Sequence, residues 1–408
     1  MNGAFDDSYL LAAKFRYHRP RVIRLAAMSR PALERFQPVA VLLLLIFTSN
    51  PASAQSPSAD AAIALEQQGK YAEAADAWRA VVKVNPRDAV AFASLGLDLA
   101  RQEHYDEAVV EYRKAAALNP KLPGLKLNIG LAEFKQGHFD AAIPPLKAAV
   151  GADPSSQQAN TLLGMAYYGA ARFSEAVNVL KPLADADAGN TELRNVLAQS
   201  CLKTKDYGCA QEQFRAILEQ DPNSTSAHLL MGEALDGLHR TDEAIAEFKS
   251  AAQLDPKQPE VHFGLGYLYW KLRNFDEAKR EFEAELALNS KHAQAQAYLG
   301  DIELESGNLD AAEGLLLRAT QSSDQIRMAY LDLGKLRMQR KNYADAAEAF
   351  RSAIRVDPAQ SDAHFQLARA YQALGRKSEA EAELAKSREL HTERDKSLVP
   401  KNGAAPSQ

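Results

Sequence analysis

The sequence has little of what most enzymes and membrane proteins display. Its most apolar stretch, Val39–Phe47, has nine residues, far short of the ~20 a helical bilayer span needs. There is no phosphate-cradling glycine loop, no His-Glu-x-x-His pair and no nucleophile elbow. Gly264 and Gly266 open like a dinucleotide fingerprint, but the third glycine is missing and no strand precedes them. Cysteine occurs twice, at Cys201 and Cys209; this is not the Cys-x-x-Cys spacing of a redox-active pair. Positive charge is also short. The net charge is −5, and the first 54 residues carry seven Lys/Arg against three Asp/Glu, which leaves −9 on the rest. An acidic body argues against nucleic acid or an anionic membrane as the main ligand. No catalytic residue, metal site or cofactor site is expected.

Residues 1–54 read as a signal region. Arg30 and Arg35 precede the apolar run, and Ala52 and Ala54 occupy small-residue cleavage positions. We expect translation from Met28, cleavage after Ala54, and export to a periplasmic or extracellular space with no stable membrane span left behind.

What the chain does contain is a repeated phrase. "YDEAVVEYRKAAALNP" at residues 105–120 is echoed at 241–256 and 343–358. Pro86, Pro120 and Pro154 stand 34 apart, and the same step reaches Pro222, Pro256 and Pro358. Ten units fit one unbroken frame, beginning at residue 55 and every 34 residues to 361, over 55–392. With the proline numbered 32 in each unit, position 8 is Gly or Ala throughout, as at Gly96 and Gly266. Position 20 is always Ala, and position 24 is large, as at Trp78, Phe214 and Phe282.

These residues resemble the tetratricopeptide repeat, in which small side chains at positions 8, 20 and 27 accompany a proline near 32. The resemblance implies an all-α, right-handed superhelical solenoid of ten helix–turn–helix repeats, with the first helix of each repeat (helix A) on the concave side. One unit cannot bury its own apolar face, so stacking supplies the core. We expect helix A at positions 2–14 and helix B at 18–31, with position 8 facing position 20. Asp106, Asp140, Ser174, Asp206, Asp242, Asp276, Asp310 and Ser378 read as N-caps of helix B. The Asn-Pro and Asp-Pro pairs close it. Pro123 and Pro259 fit the start of helix A. Pro182, deep in a helix B, predicts a bend or a shortened helix near Lys181. Residues 393–408 read as a disordered tail.

In this family, A-helix positions 2, 5, 9, 12 and 13 tend to face the groove. Transferred here, they supply Leu97, Leu127, Leu131, Phe134, Met165 and Tyr168, then Asn195 and Gln199. Further on come Phe263, Tyr267 and Trp270, then Met328, Leu331, Lys335 and Met338, with Glu233, Asp236, Asp301 and Arg369 interspersed. Aromatic and methionine clusters of this sort mark interaction surfaces, although each such side chain also fits between adjacent A helices. The expected partner is a protein segment or helix. The Lys/Asn set with which some family members clamp a C-terminal carboxylate is not reproduced, so chaperone tails are not indicated. The alternatives are a self-associating envelope subunit that uses the convex face or the ends, and an enzyme-associated, glycan-linked role. His228, His262 and His364 share position 4, from which neighbouring helices can bring them face to face, and read as packing residues rather than a metal site. Cys201 and Cys209 flank one A–B turn, a fit for a structural disulfide in an exported protein.

Overall fold

A computed structural model describes residues 58–398, all helical apart from short turns; no strand occurs among them. The expected signal region, its Met28 start and its Ala54 cleavage site lie outside these residues, as does 399–408. The chain divides into two compact units, one ending at Pro222 and one beginning at Asn223.

The N-terminal unit holds α1 (Ala59–Gln67), α2 (Tyr71–Val84), α3 (Ala89–Arg101), α4 (Tyr105–Leu118), α5 (Leu125–Lys135), α6 (Phe139–Ala152), α7 (Gln157–Gly169), α8 (Phe173–Ala186), α9 (Thr191–Thr204) and α10 (Tyr207–Gln220). The C-terminal unit holds α11 (Thr225–Gly237), α12 (Thr241–Leu254), α13 (Val261–Lys271), α14 (Phe275–Leu288), α15 (Ala293–Glu305), α16 (Leu309–Ser322), α17 (Arg327–Gln339), α18 (Tyr343–Val356), α19 (Ser361–Ala373) and α20 (Lys377–Leu398). Odd-numbered helices are A helices and even-numbered ones are B helices.

Helix B begins one residue earlier than expected in every repeat and helix A does so in seven of the ten, and the capping chemistry differs accordingly. The acidic residues at position 18 sit inside the first turn of helix B, where they favour the positive end of the helix dipole. Of the eight expected caps only Asp206 caps a helix, its Oδ1 accepting from the Cys209 N–H at 3.0 Å; Ser174 and Ser378 lie inside the first turn. Other side-chain caps lie before helix A. Asp88 accepts from Val90 and Ala91, and Asn190 accepts from Leu193, each at 3.0 Å. Pro123 and Pro259 stand two residues ahead of their helices. Each is followed by a left-handed residue, Gly124 (φ 72°) and Glu260 (φ 71°), and the helices that follow are cut to 11 residues.

The A–B turn is the same in every repeat. Position 15 is left-handed, as at Gly69, Glu103, His239 and Lys341. The next N–H reaches back over the turn, as in His104 N–H to the Leu99 carbonyl at 2.9 Å and Arg240 N–H to Leu235 at 2.9 Å. This is a Schellman closure, which satisfies the carbonyls that helix A leaves free.

Packing inside a hairpin centres on position 24. A Cβ added at Gly266 would stand 2.7 Å from the Phe282 ring, and one at Gly130 would stand 2.5 Å from Leu146. The direct neighbour of position 8 is therefore the large residue at 24, rather than the alanine at 20. That alanine is buried in its own right, as at Ala108 and Ala278. Phe214, Phe282 and Phe350 are fully buried.

Within each unit, A helices touch the next A helix (α5 on α7, α15 on α17), and B helices make no comparable contact. Helix α8, which contains Pro182, keeps the full 14 residues. The shortening does not occur: Pro182 and Asn178, the residue whose carbonyl loses its donor, are both exposed. This repeat lacks the closing proline. Instead Arg194 donates to the carbonyls of Ala184 (3.0 Å) and Ala188 (3.1 Å). Helix α20 runs to Leu398, six residues into the expected tail. No Gly or Pro interrupts it, and the pairs Lys386–Glu389 and His391–Asp395 line its surface.

Candidate functional site

The A-helix faces of the two units are built differently. From the second to the fifth repeat, positions 5, 9 and 12 of the N-terminal unit's A helices are apolar or neutral, with charge at positions 2 and 13, as at Glu192 and Arg101. Position 12 packs on position 17 of its own repeat: Phe134 meets Phe139 edge-on at 5.4 Å, and Tyr168 meets Phe173 at 5.8 Å. The Tyr168 hydroxyl donates to Gln199 Oε1 at 2.7 Å, and Gln199 Nε2 donates to Asn195 Oδ1 at 3.0 Å. This short chain ties α7 to α9 and holds three polar side chains half-buried on one face. Burial raises the Tyr168 pKa, so the phenol stays a donor.

In the C-terminal unit the face is aromatic and charged. The Trp270 indole N–H donates to Asp301 Oδ2 at 2.7 Å, joining α13 to α15. The Trp270 ring lies 4.9 Å from Tyr298 and 6.2 Å from Tyr267. Lys335 donates to Asp332 at 2.7 Å, and Lys271 to Asp236 at 2.8 Å. Arg327 pairs with Asp362. Burial raises the Asp301 pKa, against the Trp270 hydrogen bond and the nearby Lys335. Burial also pushes Asp332 up to about 7 in spite of Lys335.

The expected groove residues therefore divide. Leu97, Tyr168, Asn195, Gln199, Trp270, Met328, Lys335 and Met338 are half-buried and keep surface on the A face. Leu131, Phe134, Met165, Phe263, Tyr267 and Leu331 are buried, as is Leu127, so they are packing residues rather than contact residues. The physical reason is A-on-A stacking: Tyr298 of the following repeat covers Phe263 and Tyr267 at 6.0 and 5.7 Å. Phe365 shows the converse. It holds the same repeat position as Phe263, yet it is 46% exposed because no further A helix follows it among the described residues. Its position in the repeat pointed to it, but sequence reasoning did not single it out.

Cys201 and Cys209 are bonded to one another, with Cα atoms 5.9 Å apart, across the α9–α10 turn. The three position-4 histidines do not face one another. Each turns to a glutamate 19 residues later in its own repeat: His228 to Glu247 (2.6 Å), His262 to Glu281 (2.7 Å) and His364 to Glu383 (2.6 Å). All three pairs lie in the C-terminal unit. Sequence reasoning also passed over two buried acidic positions, Asp98 and a Glu260–Glu285–His292 cluster. An aspartate between Leu97 and Leu99 on an apolar helix was the available signal for the first. Among the described residues no helix is long and apolar enough to cross a membrane.

Comparison with known proteins fits this geometry. Models described as "Tetratricopeptide repeat" match residues 59–123, 94–157 and 263–325, and also 133–200 and 337–395, and a "TPR repeat" model matches 240–272. No curated protein matches the chain. Among solved structures, a tetratricopeptide repeat protein from Parabacteroides merdae is 17% identical, with a TM-score of 0.49 over 60% of this chain and 97% of its own. MamA is 24% identical, with a TM-score of 0.37 over 41% of this chain and 97% of its own. YrrB, described as a TPR protein with an unusual peptide-binding site, is 20% identical, with a TM-score of 0.38 over 46% of this chain and all of its own. Arrays of this kind are protein-interaction scaffolds, and their fold is typically non-catalytic. The matched repeats, the all-helical hairpins and the 34-residue frame lead to one assignment: the chain belongs to the tetratricopeptide repeat family.

Proposed function

We propose that the chain is an exported adaptor that holds an extended segment or helix of a partner protein on its A-helix faces. The observation that carries this reading is Trp270. It is a large aromatic left half-buried on a charged face, and its indole nitrogen is already held by Asp301. A rigid, pre-oriented aromatic rimmed by fixed polar groups is the arrangement that concentrates binding energy at interfaces. Met328 and Met338, half-buried on α17 of the same unit, add deformable apolar surface. In the N-terminal unit, Leu97 and the Tyr168–Gln199–Asn195 chain serve the same purpose with neutral chemistry. Export rests on the Val39–Phe47 run and the small residues after it, and N-terminal sequencing of the secreted protein tests it: a mature chain beginning at Gln55 supports export, and retention of residues 1–54 overturns it.

Site-specific photo-cross-linking in an envelope extract tests the binding face. A cross-linker at Met338 captures a discrete partner, Trp270→Ala reduces that adduct at least tenfold with helicity intact, and a cross-linker at Lys249 on helix B captures nothing comparable. Equal capture from both faces overturns the reading. One observation favours a second reading, self-association through the last repeat: Phe365 is exposed on α19. A concentration-dependent mass in light scattering that Phe365→Asp abolishes supports it.

A further inference from the structure

Where repeats seven and eight meet, three titratable side chains converge that the binding face does not use. Glu260 precedes α13, Glu285 lies in the last turn of α14 and His292 precedes α15, and each places a polar atom within 4.8 Å of the others. Glu285 and His292 are buried. His292 is the N-cap of α15: its Nδ1 accepts the Ala295 N–H at 3.1 Å. That bond fixes the tautomer, because a nitrogen that accepts carries no proton. The proton is therefore on Nε2, which points at both Glu260 oxygens at 3.3 Å. Glu285 Oε2 accepts the Phe263 N–H at 3.3 Å. The remaining titratable neighbour on α13, His262, is occupied by Glu281 (2.7 Å) and by the Pro256 carbonyl (3.1 Å). The same tautomer speaks against a metal ion here. A metal on Nε2 would require the proton on Nδ1, aimed head-on at the Ala295 N–H.

We propose that His292 is a proton-operated switch at this joint. Neutral, it caps α15. Charged, its Nδ1 has become a donor that repels the Ala295 N–H, so the cap opens and the imidazolium is held between Glu260 and Glu285. Burial opposes charging the ring, but Glu260 and then Glu285 favour it and bring its pKa above the ordinary histidine value. Burial raises Glu285 too, and a nearby imidazolium lowers it again, so the two groups draw their proton equilibria together. Because the folded pKa is raised, the charged form stabilises the fold fully below about pH 6.5, the unfolded value. That stabilisation is lost as pH rises through the folded pKa. The effect is not confined to the joint. The imidazole lies 4.8 Å from the Phe263 ring, which touches Tyr298 at 6.0 Å, and Tyr298 touches Trp270.

Nuclear magnetic resonance titration of the full chain tests this. At pH 8.5 the His292 ring should show the Nε2–H tautomer. Its midpoint should lie above 6.5, and the Ala295 amide should shift with the same midpoint as it loses its acceptor. Glu260→Gln should lower that midpoint by about 1 unit. His292→Asn supplies another strong N-cap, and it should keep the Ala295 amide in its capped position at every pH and abolish the transition. With Trp78→Phe as background, Trp270 fluorescence should follow the same transition and lose it in His292→Asn. A His292 that stays neutral down to pH 5.5, or an Ala295 amide that ignores the ring's titration, overturns the switch.

Discussion

The two units repeat one backbone and fill it with different chemistry. Each has Ala at position 20, a left-handed residue at 15 and a large side chain at 24. Beyond those positions they diverge. The N-terminal unit joins α7 to α9 through a neutral pair, Tyr168 to Gln199, and adds a covalent bridge at Cys201–Cys209. The C-terminal unit joins them through Trp270–Asp301, Lys271–Asp236 and Arg327–Asp362, and it clamps three hairpins with His–Glu pairs. Their buried aspartates make the contrast sharp. Asp332 has Lys335 at 2.7 Å, whereas Asp98 has Arg101 at 3.5 Å and the Glu66 carboxyl beside it. Stacking therefore constrains a few positions strongly and leaves the others open to whatever chemistry each unit uses.

Each unit carries one tryptophan, Trp78 or Trp270, so the fluorescence of single-tryptophan variants reads the two separately. The largest effect should come from position 24. Phe214→Ala should destabilise the N-terminal unit and Phe282→Ala the C-terminal unit, each by about 3–5 kcal/mol in denaturant unfolding. Equal responses of both reporters to either variant would mean that the units unfold as one.

Next comes the bridge. Reduction, or Cys201→Ser with Cys209→Ser, should remove about 2.5 kcal/mol from the N-terminal unit, the loop-closure value for a short loop, and leave the Trp270 reporter unmoved. Thiol titration of the unreduced, unfolded protein should find no free thiol; two would show that the bridge does not form.

A smaller, pH-dependent difference should mark Asp98. Burial and the neighbouring Glu66 push its carboxyl up to about 8, and Arg101 opposes this. The folded state thus holds a proton that the unfolded chain releases near pH 4. The N-terminal unit should therefore lose stability as pH rises from about 4 to 8. Asp98→Asn should flatten that slope, with a gain of about 1–2 kcal/mol at pH 9 and little change at pH 4. A slope that survives the substitution would assign the pH dependence to another group.

The smallest effect belongs to the turns. His239→Gly and Lys341→Gly place glycine where φ is +59° and +61°. Relief of left-handed strain, less the extra entropy of an unfolded glycine, should leave a gain of up to about 1 kcal/mol. Gly307→Ala, the reverse change at the same position, should cost about as much.

Much of this architecture was legible in the sequence because it depends on contacts inside one hairpin. Gly266 and Phe282 lie 16 residues apart and both recur in frame, so a single chain displays the small and the large positions repeatedly, although the reading set position 8 against the alanine at 20 and the structure sets it against 24. The A face was legible only in part. Phe263 and Phe365 share a repeat position, but one is covered by Tyr298 and the other is open. Position in the repeat names the candidates, and the neighbouring A helix decides which of them keep any surface. The His292 cluster was not legible. It draws on Glu260, Glu285 and His292, which come from three different elements and belong to no motif.

By itself the sequence determined the 34-residue period, the helical hairpin and the small positions at which its two helices approach, since these follow from local backbone preference and short-range packing. Tertiary structure alone decided which A-helix side chains are buried and which carboxylates close on His292. Those outcomes depend on distances between neighbouring repeats and on the desolvation that stacking imposes, neither of which is written in any one repeat.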